Sequence, residues 1–127
     1  MTPATCLAIA IFFEARSEPI IGQIAIGQTI IHRVESKHYP DTVCGVVWQR
    51  KQFSFASDGK SDNPKKYKGY WDRIAWGRAK VLAKRILSGK YEDFTEGANH
   101  YHTDDVSPKW SLCLRPLQIG SHLFYRL

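Results

Sequence analysis

The chain has 127 residues, of which 43% are hydrophobic, enough for one compact domain with a buried core and too few for a second. Its 18 Lys and Arg against 12 Asp and Glu give a net charge of +6, which indicates an anionic partner without specifying it. No apolar stretch approaches the roughly 18 residues of a membrane span. The cysteines Cys6, Cys44 and Cys113 form no CxxC pair, so we expect three buried thiols rather than disulfides or a zinc site.

The first predicted element is a helix over residues 3–16 that ends in Glu14. The seven residues before Glu14, Leu7–Phe13, contain no ionisable side chain. Burial in this apolar stretch and the negative end of the helix dipole both raise the pKa of Glu14, unless Arg16 or another cation reaches it. A carboxylic acid that stays protonated near neutral pH is suited to act as a general acid. The alternative is a Glu that reaches solvent at a helix end.

Two further helices are predicted before residue 50. Apolar residues at helical spacing follow Pro19 and continue to about residue 37. Gly22 and Gly27 in this segment predict a close approach to the first helix. The pair Asp41-Thr42 then predicts a cap for a short helix over residues 43–49.

The second half of the chain mixes one helix with extended segments. Residues 52–55 alternate like a short strand, and the polar, lysine-rich residues 57–70 predict a loop. A helix over 71–88 stops at Gly89, and short extended pieces follow at 99–103 and 119–125. The cations of the loop and of this helix fit either a solvated face or a stripe that binds an anionic envelope. We expect the four tryptophans, Trp48, Trp71, Trp76 and Trp110, in the core.

Several segments carry a family resemblance that spans almost the whole chain. The segments are Phe12–Pro19, Gly22-Gln23, Tyr39–Val47, Gln52–Ser54, Ala98–His102, Ser107–Ser111 and Ile119–Tyr125. Together they resemble the cell wall hydrolase family typified by the spore cortex-lytic enzyme SleB. The sequence departs from that pattern at Ser17, where the family more often has Gly, and in the lysine-rich loop.

The resemblance implies a fold and an activity. It implies a lysozyme-like, predominantly helical α+β domain that occupies residues 1–127 and contains a few short strands. It also implies cleavage of peptidoglycan glycan strands between N-acetylmuramic acid and N-acetylglucosamine, and its catalytic Glu corresponds to Glu14. This agrees with the separate interpretation of Glu14 as an acid of raised pKa.

Glycoside cleavage usually needs two carboxylates, and no second one stands out in this sequence. The candidates are Glu18, Glu35, Asp58, Asp62, Asp104 and Asp105, and each lies in a polar stretch. A single carboxylate suits a lytic transglycosylase, the activity that the resemblance suggests, with a hydrolytic muramidase as the alternative.

For sugar binding, motif position and side-chain chemistry favour Gln23, Gln52, Phe53, Ser54, Tyr101 and His102. The alternative roles are helix packing for Gln23, the core for Phe53, and a structural hydrogen bond for His102.

Other classes of protein find less support. His100, His102 and His122 could mimic a zinc triad of an amidase or peptidase, but no HExxH-like spacing accompanies them, so we expect no metal and no other cofactor. The basic charge would suit a nucleic-acid binder, but no helix-turn-helix, RNP or zinc-finger pattern is present.

We expect a monomeric phage endolysin, made in the host cytoplasm without a signal peptide and acting on the cell wall. A bacterial wall-remodelling enzyme without its leader is the alternative.

Overall fold

Four helices precede a small antiparallel sheet in the computed structural model, which describes residues 1–49 and 60–127. The helices are α1 (Pro3–Ala15), α2 (Ile20–Val34), α3 (Val43–Val47) and α4 (Tyr70–Leu87), and the strands are β1 (His100–Thr103), β2 (Leu117–Ile119) and β3 (His122–Tyr125). Two 3-10 turns lie at Pro64–Lys66, within the predicted loop, and at Lys109–Ser111. The predominantly helical α+β prediction is confirmed, whereas the predicted strand at 52–55 lies outside the described residues. Among those residues, no helix is both long and apolar enough to cross a membrane.

Helix α1 is the central element of the core. Thr2 caps its first turn by accepting a hydrogen bond from the backbone N–H of Thr5 at 3.1 Å. Every residue from Cys6 to Phe12 is buried, because α2, α3 and α4 all pack against this helix. An uninterrupted apolar run can be buried on all sides only in such a central position. The ionisable residues of α1 are therefore confined to its C-terminal end.

Gly27 allows three helices to meet. A Cβ atom at this position would lie 2.5 Å from Cδ1 of Ile86 in α4 and 3.4 Å from Cδ1 of Ile11 in α1. Gly22 instead faces Glu18 and Pro19, just before its own helix. The prediction that both glycines bring α2 close to α1 is therefore correct for Gly27 alone, and α4 shares that contact.

The three strands form a sheet in the order β1-β3-β2. The register pairs His100 with Tyr125 and Thr103 with His122. Because side chains alternate between faces, Tyr101, His122 and Phe124 share one face, and His100, His102 and Tyr125 share the other. The predicted extended piece at 119–125 is interrupted by Gly120, whose φ of 60° makes the β2–β3 turn.

The tryptophan prediction is wrong for three of the four residues. Trp71 is 76% exposed, and Trp48 and Trp110 are also exposed. Trp76 alone packs against the main core, where its ring meets the ring of Phe12 edge-on. Trp71 lies in the first turn of α4, one residue after the helix begins, and helical spacing alone could not assign it to the solvent side.

A disulfide between Cys6 and Cys44 contradicts the expectation of three buried thiols. Their Cα atoms are 5.3 Å apart, within the range that a disulfide requires. The bond joins the N-terminal part of α1 to α3. The third cysteine, Cys113, is free and exposed. Sequence spacing could not reveal the pair, because the two cysteines meet only once α3 has packed on α1.

We predict that this disulfide contributes measurably to stability. Reducing it, or replacing both residues (Cys6→Ala with Cys44→Ala), should lower the free energy of unfolding by up to about 4 kcal/mol in a chain-entropy model, because the bond closes a loop of 38 residues. Urea unfolding of the oxidised protein, the reduced protein and the double variant measures the difference. Cys113→Ala is the matched control and should unfold like the wild type. Equal stability of the oxidised and reduced proteins would contradict the prediction.

Candidate active site around Glu14

Glu14 lies in the last turn of α1 and is partly buried. Burial raises the pKa of its carboxyl from the ordinary value of 4.5 to about 7. A hydrogen bond from Tyr101 and the positive charge of Arg33 both lower the pKa, but burial outweighs them. The direction agrees with the sequence-based expectation. Near neutral pH, protonated and ionised Glu14 are both populated.

Arg33 is the cation of this site, and sequence analysis missed it. The residue lies near the end of α2 and is only 5% exposed. Its Nε atom donates a hydrogen bond to the carbonyl oxygen of Asn99 at 2.7 Å, and its guanidinium lies 5.2 Å from the ring centroid of Tyr39. A usable signal was its position one turn after the buried Thr29 and Ile30, because a cation on a buried helix face needs a specific partner.

Arg16, the cation closest in sequence to Glu14, is engaged elsewhere. Its guanidinium carbon lies 4.5 Å from the ring centroid of Phe12. Its Nε atom is 3.3 Å from the carboxylate of Asp72 in α4. The sequence left open whether Arg16 or another cation lowers the pKa of Glu14, and the structure shows that another cation, Arg33, does so.

Tyr101 connects Glu14 to the sheet. Its hydroxyl donates a hydrogen bond to the carboxylate of Glu14, while its ring packs against His122 and Phe124, with centroids 5.2 Å and 5.9 Å away. Burial and the neighbouring carboxylate raise the pKa of Tyr101 well above its ordinary value, so the phenol keeps its proton. A residue predicted to contact the sugar thus lies against the predicted acid.

Glu18, four residues after Glu14, binds the turn between β2 and β3 through its carboxylate. Its carboxylate accepts hydrogen bonds from the backbone N–H and the hydroxyl of Ser121, at 2.8 Å and 2.5 Å. Nδ1 of His122 lies 3.6 Å away. Burial raises the pKa of Glu18, but the hydrogen bonds from Ser121 and the charge of His122 outweigh burial and lower it overall. Glu18 therefore holds the β2–β3 turn against the segment between α1 and α2.

The other described candidates for a second carboxylate do not shift the pKa of Glu14. Glu35, Asp104 and Asp105 are exposed, Asp62 precedes the first 3-10 turn, and Asp58 lies outside the described residues. Within residues 1–49 and 60–127, no carboxylate contributes to the pKa shift of Glu14.

The remaining predicted sugar contacts are distributed over several places. Gln23 is buried and donates a hydrogen bond to the carbonyl oxygen of Glu18 at 2.9 Å, which is the packing role left open above. His102 lies on the sheet face opposite Tyr101, where its Nε2 atom is 2.8 Å from the hydroxyl of Tyr125. Gln52, Phe53 and Ser54 lie outside the described residues. Of the described members of this set, only Tyr101 lies against Glu14.

The three histidines considered as zinc ligands, His100, His102 and His122, do not lie on one side of the sheet. His100 and His102 share one face of the sheet, whereas His122 lies on the other, against Glu18. In the part of the chain that the structure describes, no three His, Cys, Asp or Glu side chains are grouped as metal ligands would be.

Comparison with known proteins gives consistent matches. A family model described as cell wall hydrolase matches residues 17–125, a region that begins three residues after Glu14. Spore cortex-lytic enzymes of Halalkalibacterium halodurans and Bacillus subtilis are 32% and 41% identical to this chain, each over 93% of its length. The chain spans only about a third of these relatives, 33% and 35% respectively.

A solved structure extends the match to the fold. The catalytic domain of the germination-specific lytic transglycosylase SleB from Bacillus anthracis superposes with a TM-score of 0.73 at 28% identity. The match covers 96% of this chain and 92% of that one. It confirms the predicted lysozyme-like fold class.

We predict that Tyr101→Phe raises the pKa of Glu14 above its value of about 7. The phenol hydrogen bond stabilises the ionised carboxylate, so its loss favours the protonated form. The carbon NMR shift of the Glu14 carboxyl group, followed through a pH titration, measures the change.

Tyr125→Phe is the matched control, since Tyr125 loses its hydroxyl on the opposite sheet face, where it meets His102. This variant should leave the Glu14 midpoint in place. A midpoint that stays unchanged or falls in Tyr101→Phe would contradict the assigned hydrogen bond.

Proposed function

Because the chain belongs to the cell wall hydrolase family, we propose that it cleaves peptidoglycan glycan strands between N-acetylmuramic acid and N-acetylglucosamine as a lytic transglycosylase. The observation that carries this proposal is the state of Glu14, whose pKa of about 7 suits an acid that must later act as a base. The lytic transglycosylase named among the solved structures supports the same reaction class.

In the first step, protonated Glu14 donates its proton to the glycosidic oxygen. The bond between this oxygen and C1 of the muramic residue breaks, and the N-acetylglucosamine part leaves as an alcohol. Positive charge develops on C1 and the ring oxygen of the muramic residue. Glu14 is now a carboxylate beside that charge.

In the second step, the Glu14 carboxylate accepts the proton of the muramic C6 hydroxyl while the C6 oxygen attacks C1. The new C–O bond closes a 1,6-anhydro ring, and Glu14 regains the proton with which it began. Neither water nor a second carboxylate is consumed.

Arg33 and Tyr101 support the alternation between these two states. Both stabilise the ionised form of Glu14, which is the form that the second step requires. Without them, burial alone would hold the pKa higher still and weaken the acid that starts the reaction. With them, Glu14 can both lose and regain a proton near neutral pH.

The alternative is a hydrolytic muramidase, in which water replaces the C6 hydroxyl. Such an enzyme commonly uses a second carboxylate to activate water or trap the sugar. Among the described residues, the nearest candidate in sequence is Glu18, whose oxygens are occupied by Ser121. This occupation favours the transglycosylase. A metal-dependent amidase or peptidase has less support, because His122 lies apart from His100 and His102.

We further propose that the enzyme acts outside the reducing cytoplasm, as an endolysin does when it reaches the wall. The disulfide between Cys6 and Cys44 supports this place of action, because such bonds persist mainly in oxidising compartments. Lysis of host cells only when a pore-forming protein is expressed with the enzyme would test the endolysin role.

Glu14→Gln should abolish wall lysis, with a loss of at least roughly 100-fold, because the amide keeps the shape of the side chain but cannot deliver a proton. Turbidity clearing of a purified wall suspension measures the rate. Glu35→Gln removes an exposed carboxylate and serves as the matched control with near wild-type activity. A folded Glu14→Gln protein that clears walls at the wild-type rate would refute the assignment.

The products should carry 1,6-anhydromuramic ends, because the proposed nucleophile is the C6 hydroxyl of the substrate itself. Such ends weigh one water less than muramidase products and resist borohydride reduction. Mass spectrometry of digested peptidoglycan before and after borohydride treatment distinguishes the two. If every muramic end proves reducible, water is the acceptor and the muramidase alternative replaces the transglycosylase.

A further inference from the structure

The positive charge of the chain is concentrated in one segment. Residues 60–87 contain nine Lys and Arg against two Asp, a net charge of +7, while the whole chain carries +6. All other residues together are therefore close to neutral. A charge distributed only for solubility would not be confined to the first 3-10 turn, the residues beside it and α4.

Part of this charge lines a groove between that turn and α4. The groove has a volume of about 350 Å³, and its cationic lining consists of Lys65, Lys68, Arg73 and Lys80. Tyr67 and Trp76 supply aromatic lining, and the Lys80 ammonium lies 5.6 Å from the Trp76 ring centroid. Among the described residues, none of the four cations has a carboxylate partner. The groove therefore presents uncompensated positive charge beside flat apolar rings.

Two exposed aromatic residues lie in the first turn of α4, next to the groove residues in sequence. Tyr70 is 63% exposed and Trp71 is 76% exposed, and their ring centroids are 4.9 Å apart. Large aromatic side chains that stay this exposed are typical of binding surfaces. Together with the six groove residues, they define what we call the basic aromatic surface.

This surface begins beside the end of α1 that carries Glu14. Asp72, in the first turn of α4, pairs with Arg16, two residues after Glu14. The guanidinium of Arg16 also lies 5.4 Å from the ring centroid of Tyr67. A polymer that crosses the end of α1 can thus continue onto α4.

We propose that the basic aromatic surface binds the carboxylate-bearing part of the same peptidoglycan strand, beyond the bond that is cleaved. Sugar rings pack on Tyr70 and Trp71, and the carboxylates of the peptide stems pair with the four groove cations. This inference rests on the proposed function. A glycan is favoured over a separate phosphate polymer because the surface is contiguous with the Glu14 end of α1, so that one strand can occupy both.

Binding is tested in the inactive Glu14→Gln background, so that no cleavage interferes. The groove variant combines Lys65→Gln, Lys68→Gln, Arg73→Gln and Lys80→Gln. Its matched control removes three Lys and one Arg at exposed positions elsewhere, Lys37→Gln, Lys90→Gln, Lys109→Gln and Arg115→Gln. Circular dichroism and thermal unfolding verify that both proteins are folded. The probe is insoluble peptidoglycan freed of phosphate polymers with hydrofluoric acid, and co-sedimentation measures the dissociation constant.

The groove variant should bind at least roughly fivefold more weakly than its parent, since each of the four exposed charge pairs contributes a factor of about 1.5 to 5. The control should change binding less than threefold. The difference should shrink as salt rises above about 0.15 M, where screening acts within roughly 8 Å. It should vanish on peptidoglycan whose carboxyl groups have been converted to neutral amides. Trp71→Ala should weaken binding on both forms, whereas Leu112→Ala, another exposed apolar residue, should not.

Equal binding by the groove variant and its control would overturn the inference. A difference that appears only on walls that retain their phosphate polymer would also overturn it, and would assign the surface to that polymer. The proposed function is tested by a separate measurement. It fails if the wild-type enzyme releases no glycan fragments from peptidoglycan, whatever the binding result.

Discussion

The site depends on the burial of one carboxyl group at the end of an apolar helix. Because residues before Glu14 in α1 are packed among three other helices, Glu14 cannot be fully hydrated without moving the end of that helix. Burial favours the protonated form, and Arg33 and Tyr101 limit the effect. The balance brings the pKa to about 7, where a single group can serve as acid and as base. The packing of the apolar core and the proposed acid–base role of Glu14 thus depend on the same arrangement.

The sheet contributes to this balance through a connected series of contacts. Glu18 holds Ser121, and His122, the next residue, packs its ring against Tyr101, which donates to Glu14. Gly120 is required at the turn, because a Cβ there would lie too close to the Glu18 carboxylate and because its positive φ suits glycine. The β2–β3 turn therefore helps to orient the phenol that stabilises ionised Glu14.

Sequence reasoning succeeded where a local pattern carries the information. The apolar run before Glu14 identified both α1 and the raised pKa, and the predicted cap at Thr42 begins α3 by a local hydrogen bond. It failed where residues distant in sequence meet. The contact of Cys6 with Cys44, the approach of Arg33 to Glu14 and the clamp between Glu18 and Ser121 all depend on packing between elements. Exposure of Trp71 is a similar case, since helical spacing shows which residues share a face but not which face is covered.

Glu14 and Glu18 show how the environment separates two identical side chains one turn apart. Burial raises the pKa of Glu14 because it outweighs the contacts with the Tyr101 phenol and the Arg33 cation. At Glu18 burial also raises the pKa, but two hydrogen bonds from Ser121 and the nearby His122 reverse the direction. A carboxylate kept ionised by strong hydrogen bonds has its oxygens occupied, and it gains stability from remaining so. Recruiting Glu18 as a catalytic base would release the β2–β3 turn, and with it the contact between His122 and Tyr101. The structural role of Glu18 and the proposed use of a single catalytic carboxylate therefore both follow from the same set of contacts.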